Sequence, residues 1–246
     1  MWRVWSSLAW HDILTRYRRS TIGPFWLTLS VAIFVTALGG LYHTLFRMDV
    51  SEYMPFMTAG LVVWTLMSAF LLESCVIFVE GDPIIKQVRL PLTVFVFRMI
   101  MRNLIVFLHN LPILVVVFLV FQVDLTWKIV LAPIGLAFLC LNAIWAGLLI
   151  GVVSTRYRDV VQVMTSLLQV VFFVTPVFWS PTLLQGRPLI VEGNVLYHFL
   201  EVVRGPLLGQ VPSTLTYGIV SGVTVVGWTA GLLMFQRFRN RIAYWL

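Results

Sequence analysis

The sequence predicts an all-α integral membrane protein. The expected fold has six transmembrane helices, an N-terminal interfacial helix, a short cytoplasmic helix and a re-entrant helical hairpin on the outer side. Of the 246 residues, 60% are hydrophobic and 11% are charged, whereas a soluble domain carries about 25% charged residues. Apolar runs recur at a length of about 20 residues, enough for a helix to cross about 30 Å of hydrocarbon. Arginines cluster at one end of these runs, as expected for the cytoplasmic side.

The N-terminal segment, residues 1–23, is predicted to form a helix on the membrane surface. Trp2, Trp5, Ala9 and Ile13 recur at helical spacing on one side, and tryptophan favours the headgroup level. Arg16 interrupts that apolar side, and a frayed cytoplasmic tail is the alternative. A cleaved signal peptide is not expected, because charged residues interrupt the segment.

Six transmembrane spans are predicted to follow, so that residues 1–246 form a single membrane domain. An even number of spans places both termini on the same side. The segments assigned to the cytoplasm hold 11 of the 17 Lys and Arg residues, against four in the outer segments, which indicates that the termini are cytoplasmic. The spans are placed near residues 25–46, 54–79, 92–121, 129–153, 160–180 and 214–236.

The inner connection near residues 80–91 is predicted to contain a short cytoplasmic helix. Asp82 followed by Pro83 is a helix-start signal, and a second proline closes the segment. Such a helix would present Ile84, Ile85 and Val88, and exposed apolar residues favour docking of a partner. A loop lying on the membrane is the alternative.

The outer connection near residues 181–213 is unusually long for a loop between spans. It contains the apolar run 196–203, which is too short to cross a bilayer. The pattern favours a re-entrant or interfacial helical hairpin, broken at Gly205-Pro206. A plain external loop is the alternative.

Catalytic and metal-binding residues are not predicted. The four histidines are scattered and lack the spacing of zinc ligands. A P-loop needs Gly-Lys followed by Ser or Thr, and neither lysine, Lys86 or Lys128, stands in that context. We therefore expect this chain to bind no cofactor itself. The net charge of +7 comes from Lys and Arg residues that lie at the ends of the spans, as the positive-inside bias predicts. No nucleic-acid partner is therefore expected.

Two sets of side chains inside the spans could carry function. Arg98, Arg102 and His109 fall within about 40° on one helix face, with Glu73 at a similar depth. Because a charge in a span costs about 2.5–3.5 kcal/mol on insertion scales, it needs a partner or a wet cavity. The arginines could bind an anionic group such as a diphosphate, or they could pair with Glu73 or snorkel. Aromatic residues, 14% of the chain, could stack on sugar rings or face lipid.

Several motifs occur in order along the chain. They are Arg16 to Ser20 with Gly23 to Trp26, Ile84 to Gln87 with Leu90-Pro91-Leu92, Arg156 to Asp159, Thr175 to Pro181, Leu196 to Gly209, and Arg241 to Leu246. With these motifs the chain resembles the permease subunit of type-2 ABC transporters for bacterial polysaccharides, most closely O-antigen permeases of the Wzm kind. The resemblance covers nearly the whole length. One departure is Asn194-Val195, where relatives usually have Asn-Pro.

The resemblance implies an assembly and a cargo. Two copies would form a pathway in the bacterial inner membrane, bound to two copies of a separate ATPase that carries ATP and magnesium. The cargo would be a polysaccharide linked to polyprenyl diphosphate, moved from the cytoplasm to the periplasm. Teichoic acid, capsule or another glycolipid is the alternative cargo, and a membrane enzyme is a third hypothesis.

The resemblance and the residue patterns together assign four sets of residues. The coupling helix on the ATPase would comprise Asp82, Pro83, Ile84, Ile85, Lys86, Gln87, Val88 and Arg89. The cytoplasmic entrance for the diphosphate would comprise Arg16, Arg18, Arg19, Arg98 and Arg102. The aromatic glycan path would comprise Trp26, Phe34, Tyr42, Trp64, Phe172 and Phe173. The outer gate would comprise Tyr197, His198, Glu201 and Arg204.

Overall fold

The computed structural model describes residues 2–18, 23, 25–46, 49–88, 90–181 and 188–246, and within these ranges it consists of helices and turns without β-strands. This confirms the all-α class. The helices are α1 (Trp2–Tyr17), α2 (Phe25–Phe46), α3 (Val50–Val76), α4 (Asp82–Gln87), α5 (Thr93–Val120), a 3-10 turn (Trp127–Val130), α6 (Leu131–Arg156), α7 (Val160–Val174), α8 (Pro188–Glu192), α9 (Val195–Leu207) and α10 (Thr214–Trp245).

Four helical segments in the described part of the chain are long and apolar enough to cross a membrane. They are α3, α5, the continuous segment Trp127–Arg156, and α10. Two further apolar stretches are shorter, namely Thr28–Leu41 within α2 and Val160–Val174, which is α7. With 15 residues, α7 extends about 22 Å, which is less than the hydrocarbon thickness of about 30 Å. The count of six spans therefore stays a prediction.

Helix α3 occupies the centre of the bundle. It packs against α2, α5, α6, α7 and α9, whereas α10 packs mainly against α6 and α1 lies along α5. Gly60 of α3 permits a close approach of the turn after α7, because a Cβ there would clash with the carbonyl oxygen of Val177. Gly227 of α10 likewise leaves room for the ring of Trp145 on α6.

Three span ends differ from the predicted ones for local reasons. Helix α3 begins at Val50, because the side chain of Asp49 accepts a hydrogen bond from Ser51 N at 2.9 Å and caps the helix. Helix α7 ends at Val174, because Thr175 is extended (ψ 134°) before Pro176. Helix α10 continues to Trp245, well beyond residue 236, since no proline interrupts it.

The predicted break at Gly205-Pro206 is wrong, whereas the re-entrant or interfacial hairpin itself stays a prediction. Helix α9 runs through both residues to Leu207. Pro206 is tolerated because it lies in the last turn, where its missing N–H removes a single helical hydrogen bond. The break comes at Gly209, whose φ of +73° ends the helix.

Candidate functional site

A cluster of charged side chains joins α1, the end of α3 and the start of α5. Arg98 donates to both carboxylate oxygens of Asp12, from Nε at 2.6 Å and from Nη2 at 2.5 Å. Arg102 is 2.8 Å from Glu73, 3.1 Å from Asp12 and 3.3 Å from Glu80. We call these five residues the charge cluster. Both arginines are largely buried, with side chains 15% and 8% exposed.

Part of the predicted apolar side of α1 packs against α5, whereas Trp2 is exposed. Ala9 and Ile13 are buried, and the ring of Trp5 lies 5.8 Å from that of Phe97 on α5. The charges on this side are explained by the same packing. Asp12 reaches the arginines of α5, and Arg16 lies 3.7 Å from Glu73.

The charge cluster bears on the predicted diphosphate entrance. Arg98 and Arg102 are paired with carboxylates. This favours the alternative in which these two arginines stabilise the fold by ion pairing instead of binding a diphosphate. Arg18 is exposed and Arg16 is 46% exposed, whereas Arg19 lies outside the described residues. His109, on the same face of α5, has its Nδ1 2.7 Å from the carbonyl oxygen of Ile105.

A groove of about 500 Å³ runs between α2, α3 and α7. It brings together three of the aromatic residues predicted for the glycan path, Phe34, Trp64 and Phe172, each from a different helix. The rings of Trp64 and Phe172 are 5.6 Å apart between centroids. We call this feature the aromatic groove. Its polar lining consists of Ser30, Thr65, Ser68, Thr165 and Gln169.

The polar groups of the aromatic groove can form hydrogen bonds with a ligand. The hydroxyl of Ser68 donates to the carbonyl of Trp64 at 2.8 Å, and that of Thr165 donates to Val161 at 2.8 Å. Each oxygen therefore keeps acceptor capacity toward the groove. Gln169 is exposed and makes no hydrogen bond within the described part of the chain. An amide in this position is unfavourable against lipid, so an occupant of this mainly apolar groove would need a hydrogen-bonding group beside Gln169.

The remaining predicted path aromatics are placed differently. Phe173 contacts Phe172 at 5.4 Å between ring centroids, but it is 61% exposed on α7. Trp26, at the start of α2, is 55% exposed and does not line the groove. The side chain of Tyr42 lies outside the described part of the structure.

The short helix α4 presents only one of the three predicted apolar residues fully, since Val88 is 50% exposed. Ile84 and Ile85 pack partly against the protein's own core, because buried Gly81 brings the start of α4 close to the ring of Phe95. The exposed face carries Lys86, which pairs with Asp82 at 2.8 Å. Pro83, Gln87 and Val88 are also exposed, and Arg89 lies outside the described residues.

A cleft of about 900 Å³ opens at the other end of the bundle, between the start of α3, the end of α5 and helix α9. Tyr197, Glu201 and Arg204, three of the four predicted gate residues, line this outer cleft. Burial, and then the nearby Glu201 carboxylate, raise the pKa of the Tyr197 phenol above its usual value of 10.0. The phenol therefore stays a neutral hydrogen-bond donor at physiological pH.

Arg204 ties α9 to two other elements. It is 1% exposed, and its guanidinium donates to Glu201 Oε2 at 2.7 Å and to the carbonyl of Pro176 at 2.6 Å. Its Cζ lies 4.1 Å above the ring of Phe56 on α3, a cation–π distance. Arg204 thus holds α9 against α3 and the turn after α7.

His198 points away from the outer cleft and ties α9 to α10. It is 1% exposed, and its Nε2 lies 2.8 Å from the carbonyl oxygen of Glu192. A carbonyl only accepts, so Nε2 carries a proton and Nδ1 can accept from the hydroxyl of Thr216 at 3.0 Å. Among the residues that the structure describes, no group of three or more His, Cys, Asp or Glu side chains could hold a metal ion.

Comparison with known proteins points to one family. Residues 3–208 match the family described as ABC-2 type transporter. The O-antigen export system permease protein RfbA of Myxococcus xanthus is 24% identical over 241 residues, covering 96% of this chain and 93% of that protein. Two proteins of the same name from Klebsiella pneumoniae are 21% and 20% identical over 240 residues, each covering 94% of this chain and 90% of the relative. The charge cluster, the aromatic groove and α9 all lie within the family match.

Proposed function

Because the chain belongs to the ABC-2 type transporter family, we propose that it moves a polyprenyl-diphosphate-linked polysaccharide of O-antigen type from the cytoplasm to the periplasm. The family match confirms the resemblance noted from the sequence. It makes the chain a multi-pass membrane subunit of an exporter instead of a catalytic enzyme. The RfbA relatives, named for O-antigen export, support the class of cargo.

The aromatic groove is the observation that carries this proposal. Sugar rings have an apolar C–H face and a rim of hydroxyls, and they need both kinds of partner. The groove offers the ring faces of Trp64 and Phe172 beside the oxygens of Ser68 and Thr165 and the amide of Gln169. The lining is mainly apolar with a few polar groups, which is the pattern of small-molecule sites, and it supports stacking of a sugar ring with hydrogen bonds at a few points.

The groove and the helices around it support a homodimer. The groove is open on one side, and α2 and α7 flank it with exposed surfaces that include Phe34 and Phe173. A second copy of the chain facing this side would close the groove into a pathway, with α2 and α7 completing the six spans. We place this homodimer in the inner membrane with both termini in the cytoplasm.

A separate ABC ATPase would supply the energy, and the exposed face of α4 would contact it. Because neither lysine stands in the Gly-Lys-Ser/Thr of a P-loop, we assign ATP and magnesium to the partner. Glu80 of the charge cluster lies two residues before α4, which begins at Asp82. A movement of α4 would therefore act on Arg102, and through it on α1 and α5.

Removing the aromatic faces of the groove should slow export without unfolding the protein. We expect Trp64→Leu with Phe172→Leu to lower export about tenfold, because each lost stacking contact is worth about 0.5–1.5 kcal/mol. The measurement is the rate at which glycan reaches the surface in a deletion strain complemented with each variant. The lipid-linked sugar that accumulates in the deletion strain identifies the cargo.

A matched pair of exposed aromatics provides the control for this experiment. Phe25 and Trp127 are 66% and 75% exposed, and Phe25→Leu with Trp127→Leu should keep export within twofold. Normal export by the groove variant would contradict the stacking role. Accumulation of a lipid without sugar in the deletion strain would contradict the proposed cargo.

Charge reversal on α4 should uncouple the partner's ATP hydrolysis from export. We expect Lys86→Glu with Arg89→Glu to reduce export at least tenfold while the purified complex still hydrolyses ATP, because a carboxylate would replace the exposed ammonium of Lys86. Lys86→Arg, which keeps the charge, should export normally. Full export by the double variant would exclude α4 as the coupling contact.

A further inference from the structure

An apolar pocket of about 180 Å³ lies between α3, α6, α9 and α10. Its inner wall is buried and is formed by Met67, Phe70, Leu139, Ala143, Ala146 and Phe199. Its rim is partly exposed and equally apolar, and consists of Leu71, Trp145, Val195, Leu196 and Val223. The pocket therefore opens to the outside of the bundle at a rim of aliphatic and aromatic side chains.

Asn142, the polar side chain in the pocket lining, already has hydrogen-bond partners within the protein. Asn142 Nδ2 donates to the carbonyl of Phe138 and to Thr224 Oγ1, both at 2.8 Å. Asn142 Oδ1 accepts from Trp145 Nε1 at 2.7 Å. Because a bound water needs two to four polar partners, the pocket does not suit water or a polar ligand.

We propose that this pocket binds the acyl chain of a membrane phospholipid. An apolar protein cavity of about 150 Å³ takes up benzene, so a pocket of about 180 Å³ can hold the end of an acyl chain. The rim residues Leu71 and Trp145 belong to helices long and apolar enough to cross the membrane. At such a rim the surrounding solvent is lipid hydrocarbon, and insertion of a chain requires no polar group to be desolvated.

An acyl chain in this pocket would support α9. Leu196 and Phe199 line the pocket, whereas Tyr197, Glu201 and Arg204 line the outer cleft on the opposite side of the same helix. The acyl chain would fill the space between α9 and the core helices α3 and α6. This site concerns a lipid of the bilayer and goes beyond the proposed transport of a glycan.

Photolabelling in a defined bilayer tests the site. The purified protein is placed in nanodiscs containing a phosphatidylcholine with a diazirine at the end of one acyl chain, and labelled peptides are identified by mass spectrometry. We expect labelling at the inner wall, at Phe70, Ala146 or Phe199, in the same peptides as the neighbouring rim residues Leu71, Trp145 and Leu196. Ala143→Phe fills the pocket and should lower this labelling at least fivefold. Ala137→Phe, on an exposed position of the same helix, should keep labelling within twofold.

The outcomes separate the alternatives. If Ala143→Phe does not fold, Ala146→Leu fills the same pocket with a smaller side chain and is expected to lower labelling at least twofold. Labelling absent from all rim peptides, or unchanged in the filled variants, would overturn the site. Labelling by a diazirine polyprenyl phosphate and not by the phospholipid would overturn the assignment to a bilayer lipid. None of these readouts depends on glycan export, so the proposed function is tested separately.

Discussion

Replacing Arg102 with methionine should lower the melting temperature of the purified protein by about 6–20 °C. The side chain of Arg102 is 8% exposed and contacts three carboxylates, those of Asp12, Glu73 and Glu80. Removing one partner of a buried ion pair costs about 3–5 kcal/mol, because the remaining charges are left uncompensated. A change of 1 kcal/mol shifts the melting temperature by about 2–4 °C at this chain length.

A double variant distinguishes lost pairing from lost packing. Arg102→Met with Glu73→Met removes the most closely paired carboxylate together with the arginine, and it should recover part of the loss, because fewer buried charges remain unpaired. Arg158→Met, at an exposed arginine, should change the melting temperature by less than 2 °C. A similarly small change for Arg102→Met would show that the ion pairs made by Arg102 do not stabilise the bundle.

The charge cluster shows what a sequence can and cannot reveal about a buried charge. The need for a partner follows from the cost of a charge in a span, and Glu73 was identified as a candidate on that basis. Asp12 was missed because it lies 86 residues from Arg98, and helical periodicity carries no information about such distances. The available signal was that Asp12 and Arg16 lie on the apolar side of α1, where charges need a protein partner.

The groove and the helix ends show the same limit. The aromatics of spans one, two and five were predicted as a set, yet Gln169 was not, because the rotation of α7 against α3 is a tertiary property. The start of α3 could have been found from Asp49 and Glu52, which have the spacing of a capping box. The continuation of α9 through Pro206 could not be found in this way, because a Gly-Pro pair ordinarily indicates a turn or the end of a helix.

Replacing Arg204 with methionine should release α9 from the bundle. The variant would leave Glu201, the carbonyl of Pro176 and the ring of Phe56 without the guanidinium that joins them. With a cost of about 3–5 kcal/mol for a broken buried pair, amide hydrogen exchange in α9 should accelerate on the order of 100-fold or more. Exchange in α5 should change far less, because α5 does not contact Arg204 in these interactions.

Two further variants determine which part of Arg204 matters. Arg204→Lys keeps the positive charge but loses the planar fork that reaches Glu201 and Pro176 together, so its exchange in α9 should lie between that of the wild type and that of Arg204→Met. Glu201→Gln should also accelerate exchange, whereas Glu52→Gln, at an exposed carboxylate of the same outer cleft, should not. If Arg204→Met exchanges like the wild type, α9 is held by its apolar packing, and a gate built on α9 would have to open against that packing instead.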